Sequence, residues 1–192
     1  TVSHELRTPL TSISGSLGLI LGGITGNIDE KSRHMLSIAK RNADHLKLLI
    51  DDLLDIEKLI AGNMPMAPEE QGIGTCVTAA IEEIQPFAKQ RQVRITLRDG
   101  SPGLTALFDS IRLKQAITNL LSNAVKFSHE RSEVLVDIES SESTVRILVK
   151  DQGIGVPESF RSRIFQKFAQ ADGSVTRGQG GTGLGLAITR EI

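Results

Sequence analysis

Two asparagines and a lysine recur at helical spacing in the stretch Asn119-Leu-Leu-Ser-Asn123-Ala-Val-Lys126. Residues three and four positions apart lie on one face of a helix, so these side chains form a single polar site. An asparagine carbonyl is a neutral oxygen ligand suited to Mg²⁺ that already carries a triphosphate, and a lysine ammonium can neutralise phosphate. The alternative is a solvated polar stripe, which is the more frequent meaning of this pattern when it stands alone.

Two glycine-rich segments lie further along the chain. Asp151-Gln-Gly-Ile-Gly155 follows a predicted strand, and Gly180-Gly-Thr-Gly-Leu-Gly185 opens the last predicted helix. Glycines let the backbone approach a ligand closely, and free N–H groups at a helix N-terminus favour phosphate. Each segment alone is weak evidence, since many glycine-rich segments are simply loops. Neither carries the phosphate-loop signature or the Rossmann fingerprint, so the common nucleotide folds are disfavoured.

The elements that must position these residues fall into two groups. Over residues 1–60, apolar positions at helical spacing are interrupted by the turn Gly22–Asn27, and Asp29 is a candidate N-cap for the second helix. This pattern predicts a helical hairpin. Its apolar positions exceed what two helices can bury, so we expect a partner hairpin and a dimeric four-helix bundle.

A Pro- and Gly-punctuated run at 61–72 predicts a linker between the hairpin and an α+β domain. Beyond it we predict helices at 75–91, at 110–128 with Asp109 as the N-cap, and from about 183. Strands are predicted at 93–98, 104–108, 133–139 and 144–150. The predicted domains are therefore 1–62 and 73–192.

The composition limits the classes of partner. The formal net charge is −1, which gives no reason to expect nucleic acid or an anionic membrane. A single cysteine, Cys76, excludes an intramolecular disulfide. No apolar run approaches the ~18 residues of a membrane span. We therefore expect no membrane contact by this part of the protein and a cytoplasmic location for it.

Taken in this order, the segments resemble the ATP-binding fold shared by histidine kinases, gyrase-type topoisomerases, Hsp90 chaperones and MutL mismatch-repair proteins. The resemblance implies an α/β sandwich that binds ATP and Mg²⁺. It implies that Asn123 holds Mg²⁺, and that Asn119 and Lys126 contact phosphate or the shell of the metal. Asp151 is then the acceptor for the adenine amino group, and Gly153 and Gly155 clear space for the base.

The remaining motifs fit the same resemblance. Arg163-Ile-Phe165-Gln-Lys-Phe168 resembles the phenylalanine box of the family, and the stretch up to Gly180 resembles its ATP lid. Arg177 in that stretch is a candidate phosphate contact, with an exposed loop charge as the alternative. The resemblance assigns the phosphate cradle to the last glycine segment, namely Gly181, Thr182, Gly183, Leu184 and Gly185.

The N-terminal motif Ser3-His-Glu-Leu-Arg-Thr-Pro-Leu10 separates the members of this ATP-binding group, because it resembles the phosphoacceptor box of histidine kinases alone. A neutral imidazole is abundant at pH 7 because the unperturbed pKa of histidine is about 6.5. The resemblance implies that His4 is the nucleophile and that Glu5 orients its ring. Thr8 would position water for dephosphorylation of a regulator. Inward-facing Val2, Leu6 and Pro9 would leave His4 exposed.

The resemblance therefore predicts the catalytic core of a sensor histidine kinase. Such a core autophosphorylates His4, works as a homodimer, and transfers phosphate to the receiver domain of a response regulator under an upstream sensor domain. Compared with the family, both domains are expected to be incomplete at the chain ends, and the parent protein could be anchored in the inner or plasma membrane. Two alternatives stay open: a degenerate kinase that scaffolds partners, and an ATPase-driven chaperone or repair protein.

Overall fold

The computed structural model describes residues 2–170 and 181–192, with side chains described from Leu6 onward. It divides into two compact units, Thr1–Gly62 and Asn63–Ile192. The predicted α+β class, with helices first and a mixed domain after them, is confirmed. Within the described residues, no helix is long and apolar enough to span a membrane.

The first unit is a helical hairpin made of α1 (Val2–Leu21) and α2 (Glu30–Ile60). Gly23 and Gly26 have φ angles of 91° and 88° in the connecting turn, a backbone region that glycine adopts without steric cost. The predicted N-cap Asp29 is confirmed, because its carboxylate accepts a hydrogen bond from the Ser32 N–H at 2.9 Å. That bond satisfies one of the free N–H groups at the start of α2.

The inner face of the hairpin buries Leu10, Ala43 and Ile56. Leu6 is 44% exposed and Pro9 is also exposed, so the expectation that these positions face inward is wrong within one hairpin. The reason is the phase of α1, which turns Leu10 rather than its neighbours toward α2. Large apolar side chains consequently remain exposed along both helices, among them Leu6, Ile13, Leu19, Met35, Ile38, Leu46 and Ile60.

The second unit contains five strands and four helices within the described residues. The helices are α3 (Ile73–Gln90), α4 (Ser110–Phe127), α5 (Glu158–Arg161) and α6 (Gly185–Glu191). The strands are β1 (Glu69–Gly72), β2 (Arg94–Asp99), β3 (Thr105–Phe108), β4 (Glu133–Ser140) and β5 (Val145–Lys150). A three-stranded sheet has the order β2-β4-β5, with β2 parallel and β5 antiparallel to β4. β1 and β3 form a separate antiparallel ribbon.

Helices α3 and α4 cover one face of the sheet and make the core with it. The fully buried side chains include Val77 and Ala80 of α3, Leu121 of α4, and Val134 and Val136 of β4. Val134 and Val136 are two positions apart on β4, so both side chains face the same layer of helices. This packing fixes α4, whose opposite side carries the predicted polar site.

Three elements differ from the sequence prediction. The linker predicted at 61–72 is wrong for its last four residues, because Glu69–Gly72 pairs with Thr105–Phe108 as β1. The short helix α5 was not predicted, and α6 begins at Gly185 rather than near 183. The strand Glu-Glu-Gln-Gly lacks apolar alternation, and only its pairing with β3 makes it a strand.

Candidate active site

Helix α4 carries the predicted polar face as one continuous surface. Asn119, Asn123 and Lys126 all lie on it and are all partly buried. The predicted N-cap Asp109 is confirmed, since its carboxylate accepts hydrogen bonds from the N–H groups of Ile111 and Arg112 at 3.0 and 3.1 Å. The helix is therefore well anchored at the end remote from Lys126.

Asn119 lies against the last helix. Its side-chain amide donates a hydrogen bond to the Gly185 carbonyl at 3.0 Å, and the Thr189 hydroxyl oxygen lies 3.5 Å from the same nitrogen. A Cβ atom at Gly185 would come within 3.3 Å of the Asn119 amide. The amide nitrogen of Asn119 thus links α6 to α4, and the contact of this residue with phosphate or with the shell of the metal stays a prediction.

Lys126 lies at the other end of the polar face and is half-buried. Burial, and then the nearby charge of Arg91, lower the pKa of its ammonium group. The Nζ atom of Lys126 lies 4.6 Å from the centre of the Phe127 ring. A Cβ atom added at Gly181 would lie 3.0 Å from the same Nζ atom. The structure therefore brings the backbone of the second glycine segment to the predicted phosphate-binding ammonium.

The first glycine segment is tied to the C-terminal end of α4. The Gly153 N–H donates a hydrogen bond to the Asp151 carboxylate at 2.9 Å. The Ile154 N–H donates one to the Phe127 carbonyl at 3.3 Å. A Cβ atom at Gly153 would lie only 2.3 Å from the Phe127 carbonyl oxygen, so only glycine fits. Asp151 is exposed, and its carboxylate is held beside the end of α4 by this turn.

The two glycines of this segment are required for different reasons. Gly153 is needed because of backbone packing against Phe127. Gly155 has a φ of 70°, and a Cβ atom added there would meet no other atom within 4 Å. That both of them clear space for a base stays a prediction. Steric contact within the protein accounts for Gly153, and backbone conformation accounts for Gly155.

The second glycine segment is seated between α4 and the phenylalanine box. Gly183 has a φ of 69°, and a Cβ atom there would contact the Phe168 backbone at 2.9 Å. The Thr182 hydroxyl oxygen accepts a hydrogen bond from the Leu184 N–H at 3.2 Å, and Leu184 is fully buried. The side chain of Gln170, which was not predicted as a site residue, donates to the Gly181 carbonyl at 2.9 Å.

Phe165 and Phe168 are 45% and 57% exposed, which is unusual for phenylalanine. Phe168 also has a φ of 60°, a backbone conformation that non-glycine residues seldom adopt. Both side chains are thus exposed to solvent, and the backbone of Phe168 lies against Gly183 of the second glycine segment. Arg177, the candidate phosphate contact, lies outside the described residues.

The N-terminal motif lies on α1 in the first unit. His4 and Glu5 have helical backbone, and their side chains lie outside the described part of the chain, while Thr8 is exposed. Arg7 of the motif forms an ion pair with Asp51 of α2 at 2.7 Å. Asp51 was not a candidate residue, and a separation of 44 residues leaves no local sequence signal for this pair.

Two family models match the chain. Residues 1–62 match the His Kinase A (phospho-acceptor) domain, and residues 108–192 match the histidine kinase-, DNA gyrase B- and HSP90-like ATPase domain. The first match contains His4, and the second contains both glycine segments and the polar face of α4. Together they cover most of the chain.

Similar curated proteins match over the whole chain. The circadian input-output histidine kinase CikA of Synechococcus elongatus is 35% identical over 194 residues, and the chain covers 26% of it. The hybrid signal transduction histidine kinase D of Dictyostelium discoideum is 36% identical, with 12% covered. The signal transduction histidine-protein kinase BarA of Escherichia coli is 34% identical, with 21% covered. The chain thus spans about a quarter or less of these relatives.

Solved structures give the same result. Full-length ShkA in complex with AMPPNP superposes with a TM-score of 0.81 at 32% identity, over 100% of this chain and 39% of that one. The Acinetobacter baumannii histidine kinase AdeS has a TM-score of 0.66 at 23% identity, over 98% of this chain and 84% of that one, and so supports the fold. The chain belongs to the histidine kinase family, as a phospho-acceptor domain joined to an ATPase domain of the histidine kinase, DNA gyrase B and HSP90 type.

Proposed function

We propose that the chain uses ATP to phosphorylate His4 and passes the phosphoryl group to an aspartate in the receiver domain of a response regulator. The observation that carries the proposal is the convergence of both glycine segments on α4, since Gly153 packs against Phe127 and Gly181 against Lys126. This arrangement supports a nucleotide site built on one helix. The phosphoacceptor motif on α1 supplies the group to be phosphorylated.

The nucleotide site divides its tasks between the first glycine segment with Asp151 and the second glycine segment with Lys126. Asp151 accepts a hydrogen bond from the adenine amino group, which distinguishes adenine from guanine because a carboxylate cannot donate. The Lys126 ammonium neutralises phosphate charge, and the N–H groups of the second glycine segment donate hydrogen bonds to the phosphate oxygens. The positive φ of Gly155 lets the backbone turn beside the adenine base. The backbone of Phe168 lies against Gly183 of this segment, and Phe165 belongs to the same phenylalanine box.

Mg²⁺ fits the chemistry of this site through Asn123. Asn123 is partly buried on α4 between Asn119 and Lys126, and its amide oxygen is a neutral, hard ligand. A single neutral protein oxygen is suited to a cation that brings phosphate oxygens and water with it. When bound, Mg²⁺ would neutralise part of the phosphate charge. Within the described residues, no group of three or more His, Cys, Asp or Glu side chains could hold a metal.

His4 attacks the γ-phosphorus with an imidazole nitrogen. A nitrogen–phosphorus bond forms, the bond between the γ-phosphorus and the bridging oxygen breaks, and ADP leaves with the electron pair. Glu5 accepts a hydrogen bond from the other ring N–H and so holds the reactive tautomer. The phosphoryl group then passes to a carboxylate of the receiver domain. Thr8, one helical turn beyond His4, would position water for hydrolysis of the phosphoryl group on the regulator.

The exposed apolar side chains of the hairpin support a homodimer. Leu6 and Ile13 of α1, and Leu46 and Ile60 of α2, are each at least 44% exposed in the single chain. A second hairpin would cover them and complete a four-helix bundle. The substitution Ile13→Glu should then convert the protein to monomers in sedimentation equilibrium. Ile24 is more exposed but lies in the turn between the helices, so Ile24→Glu should leave the dimer intact.

The proposal is tested by incubation with γ-³²P-labelled ATP and Mg²⁺. We expect an acid-labile, base-stable phosphoprotein, and His4→Gln should abolish the label while nucleotide affinity is retained. The substitution His45→Gln, on α2, is the matched control and should retain the label. Nucleotide binding without any label would favour the scaffold alternative. Release of free phosphate without phosphohistidine would favour the chaperone or repair class.

A further inference from the structure

The pair Arg7–Asp51 joins the phosphoacceptor motif to the second helix of the hairpin. The Nε and Nη2 atoms of Arg7 donate to the same oxygen of Asp51, at 2.9 and 2.7 Å. The two side chains are 45% and 34% exposed. An ion pair with this exposure contributes little net stability, so it can be exchanged for another partner at small cost.

The packing of the hairpin places this pair. Seven residues further along α1, the Ser14 hydroxyl donates to Asp44, which lies seven residues before Asp51 on the antiparallel α2. A heptad step returns to the same side of a helix, so both pairs lie along one edge of the helix–helix interface. Asp44 is held in turn by Lys40 at 2.7 Å. The carboxylate of Asp51 is therefore set opposite position 7 by the register of the hairpin.

Arg7 also lies one turn from the phosphorylated position. Position 4 precedes it by three residues on α1, and side chains at this spacing are neighbours on a helix surface. A phosphoryl group at position 4 would bring nearly two negative charges and three acceptor oxygens. The planar fork of a guanidinium suits two such oxygens, whereas both of its present bonds fall on one oxygen of Asp51.

We propose that Asp51 is a positioning residue that holds the Arg7 guanidinium while His4 is unmodified, and that Arg7 exchanges this carboxylate for the phosphoryl group once His4 carries it. The inference rests on the proposed function. In this scheme the Asp51 carboxylate and the phosphoryl group compete for the Arg7 guanidinium, so the equilibrium of the phosphorylation step depends on this competition. A pair that only fastened the helices together would not have this property.

The competition is tested with a double-mutant cycle of Asp51→Asn, Arg7→Gln and the double variant. The readout is the ratio of phosphohistidine to histidine at a fixed ratio of ATP to ADP. Asp51→Asn frees Arg7 and should raise this ratio about two- to fivefold, while Arg7→Gln should lower it by a similar factor. In the double variant the effect of Asp51→Asn should vanish. Changes of the same sign in both single variants, or additive effects in the double variant, would overturn the proposal.

A second measurement needs no kinase activity. Phosphoramidate phosphorylates histidine directly, and the resonance of phospho-His4 is identified by its loss in His4→Gln. In a ³¹P pH titration, Arg7→Gln should raise the second pKa of the phosphoryl group. Asp51→Asn should lower that pKa in the wild-type background and leave it nearly unchanged when Arg7 is absent. If ATP gives no label but this coupling is found, the proposed function fails alone; if ATP labels His4 but the coupling is missing, this inference fails alone.

Discussion

The side-chain amide of Asn119 donates a hydrogen bond to the backbone carbonyl of Gly185 at 3.0 Å, and this bond joins the helix of the nucleotide site to the last helix. Gly185 lies close because it lacks a Cβ atom, which would come within 3.3 Å of the amide. Asn123 lies one turn further along the same face of α4 and is partly buried. Asn119 is thus engaged in a contact within the protein, while the assignment of Asn123 to Mg²⁺ stays a prediction.

We predict that Asn119→Ala lowers the free energy of unfolding by about 1 kcal/mol, because the link from α4 to the Gly185 carbonyl is lost, although that carbonyl keeps a hydrogen bond from the Thr189 hydroxyl. Asn123→Ala should change the same quantity by less than about 0.5 kcal/mol, but should weaken Mg²⁺-dependent nucleotide binding by about 10- to 100-fold. Urea denaturation and nucleotide titration, with Mg²⁺ and with a chelator, measure the two effects. Equal destabilisation by both substitutions would contradict the assignment.

The glycines of the first segment give a second prediction. Gly153→Ala should lower the free energy of unfolding by about 2 kcal/mol or more, because its Cβ atom would lie 2.3 Å from the Phe127 carbonyl oxygen. Gly155→Ala meets open space and should cost about 1 kcal/mol, which is the penalty for a side chain at a φ of 70°. Chemical denaturation of the two variants compares them. If Gly155→Ala proved the more destabilising, packing against Phe127 would not be the governing contact.

The local features of the site could be predicted from the sequence, and its tertiary contacts could not. Helical spacing placed Asn119, Asn123 and Lys126 on one face, and Asp109 was predicted as the N-cap. The reason for a glycine at position 153 lies in a neighbour 26 residues earlier, and no local pattern encodes that contact. The bond from Asn119 spans 66 residues, so the spacing of the motif could not reveal that its amide binds protein.

Lys126 gives a prediction about pH. Burial, and then Arg91, lower the pKa of its ammonium in the folded protein, so it loses its proton at a lower pH than an ordinary lysine. Nucleotide affinity should therefore fall as the pH rises through this lowered pKa. Lys126→Arg should remove the fall over the same range, because a guanidinium stays protonated. Isothermal titration with nucleotide from about pH 7 to 10 measures this, and an identical decline in both proteins would contradict it.

The same shift affects stability with the opposite sign. Between the lowered pKa and the ordinary lysine pKa, the unfolded chain binds more protons at position 126 than the folded chain does, so the contribution of this group to stability rises with pH. We expect the gain in unfolding free energy over this range to be smaller in Lys126→Met, measured against wild type. A gain that persists unchanged in Lys126→Met would mean that another group is responsible.

The buried carboxylate of Asp137 gives the last prediction. This side chain on β4 is only 6% exposed, and the Lys150 ammonium lies 2.6 Å from one of its oxygens. The other oxygen makes no hydrogen bond within the described residues, and Arg98 approaches it at 3.6 Å. Cross-strand pairing places both cations beside Asp137, with Arg98 directly opposite it on β2.

Asp137 is buried, whereas Lys150 and Arg98 are half or more exposed. The loss of unfolding free energy in each variant therefore depends on whether the buried carboxylate is left without a cation. Lys150→Met leaves the carboxylate buried beside a distant guanidinium and should cost about 1 to 3 kcal/mol, less than a fully buried pair because the lysine is itself 53% exposed. Arg98→Met should cost less than about 1 kcal/mol, since that side chain is 72% exposed. Asp137→Asn leaves two solvated cations, and its cost in unfolding free energy should fall between those of Lys150→Met and Arg98→Met. Urea denaturation orders the three variants, and a larger loss in Arg98→Met than in Lys150→Met would show that the longer ion pair, rather than the hydrogen-bonded one, holds the carboxylate in the sheet.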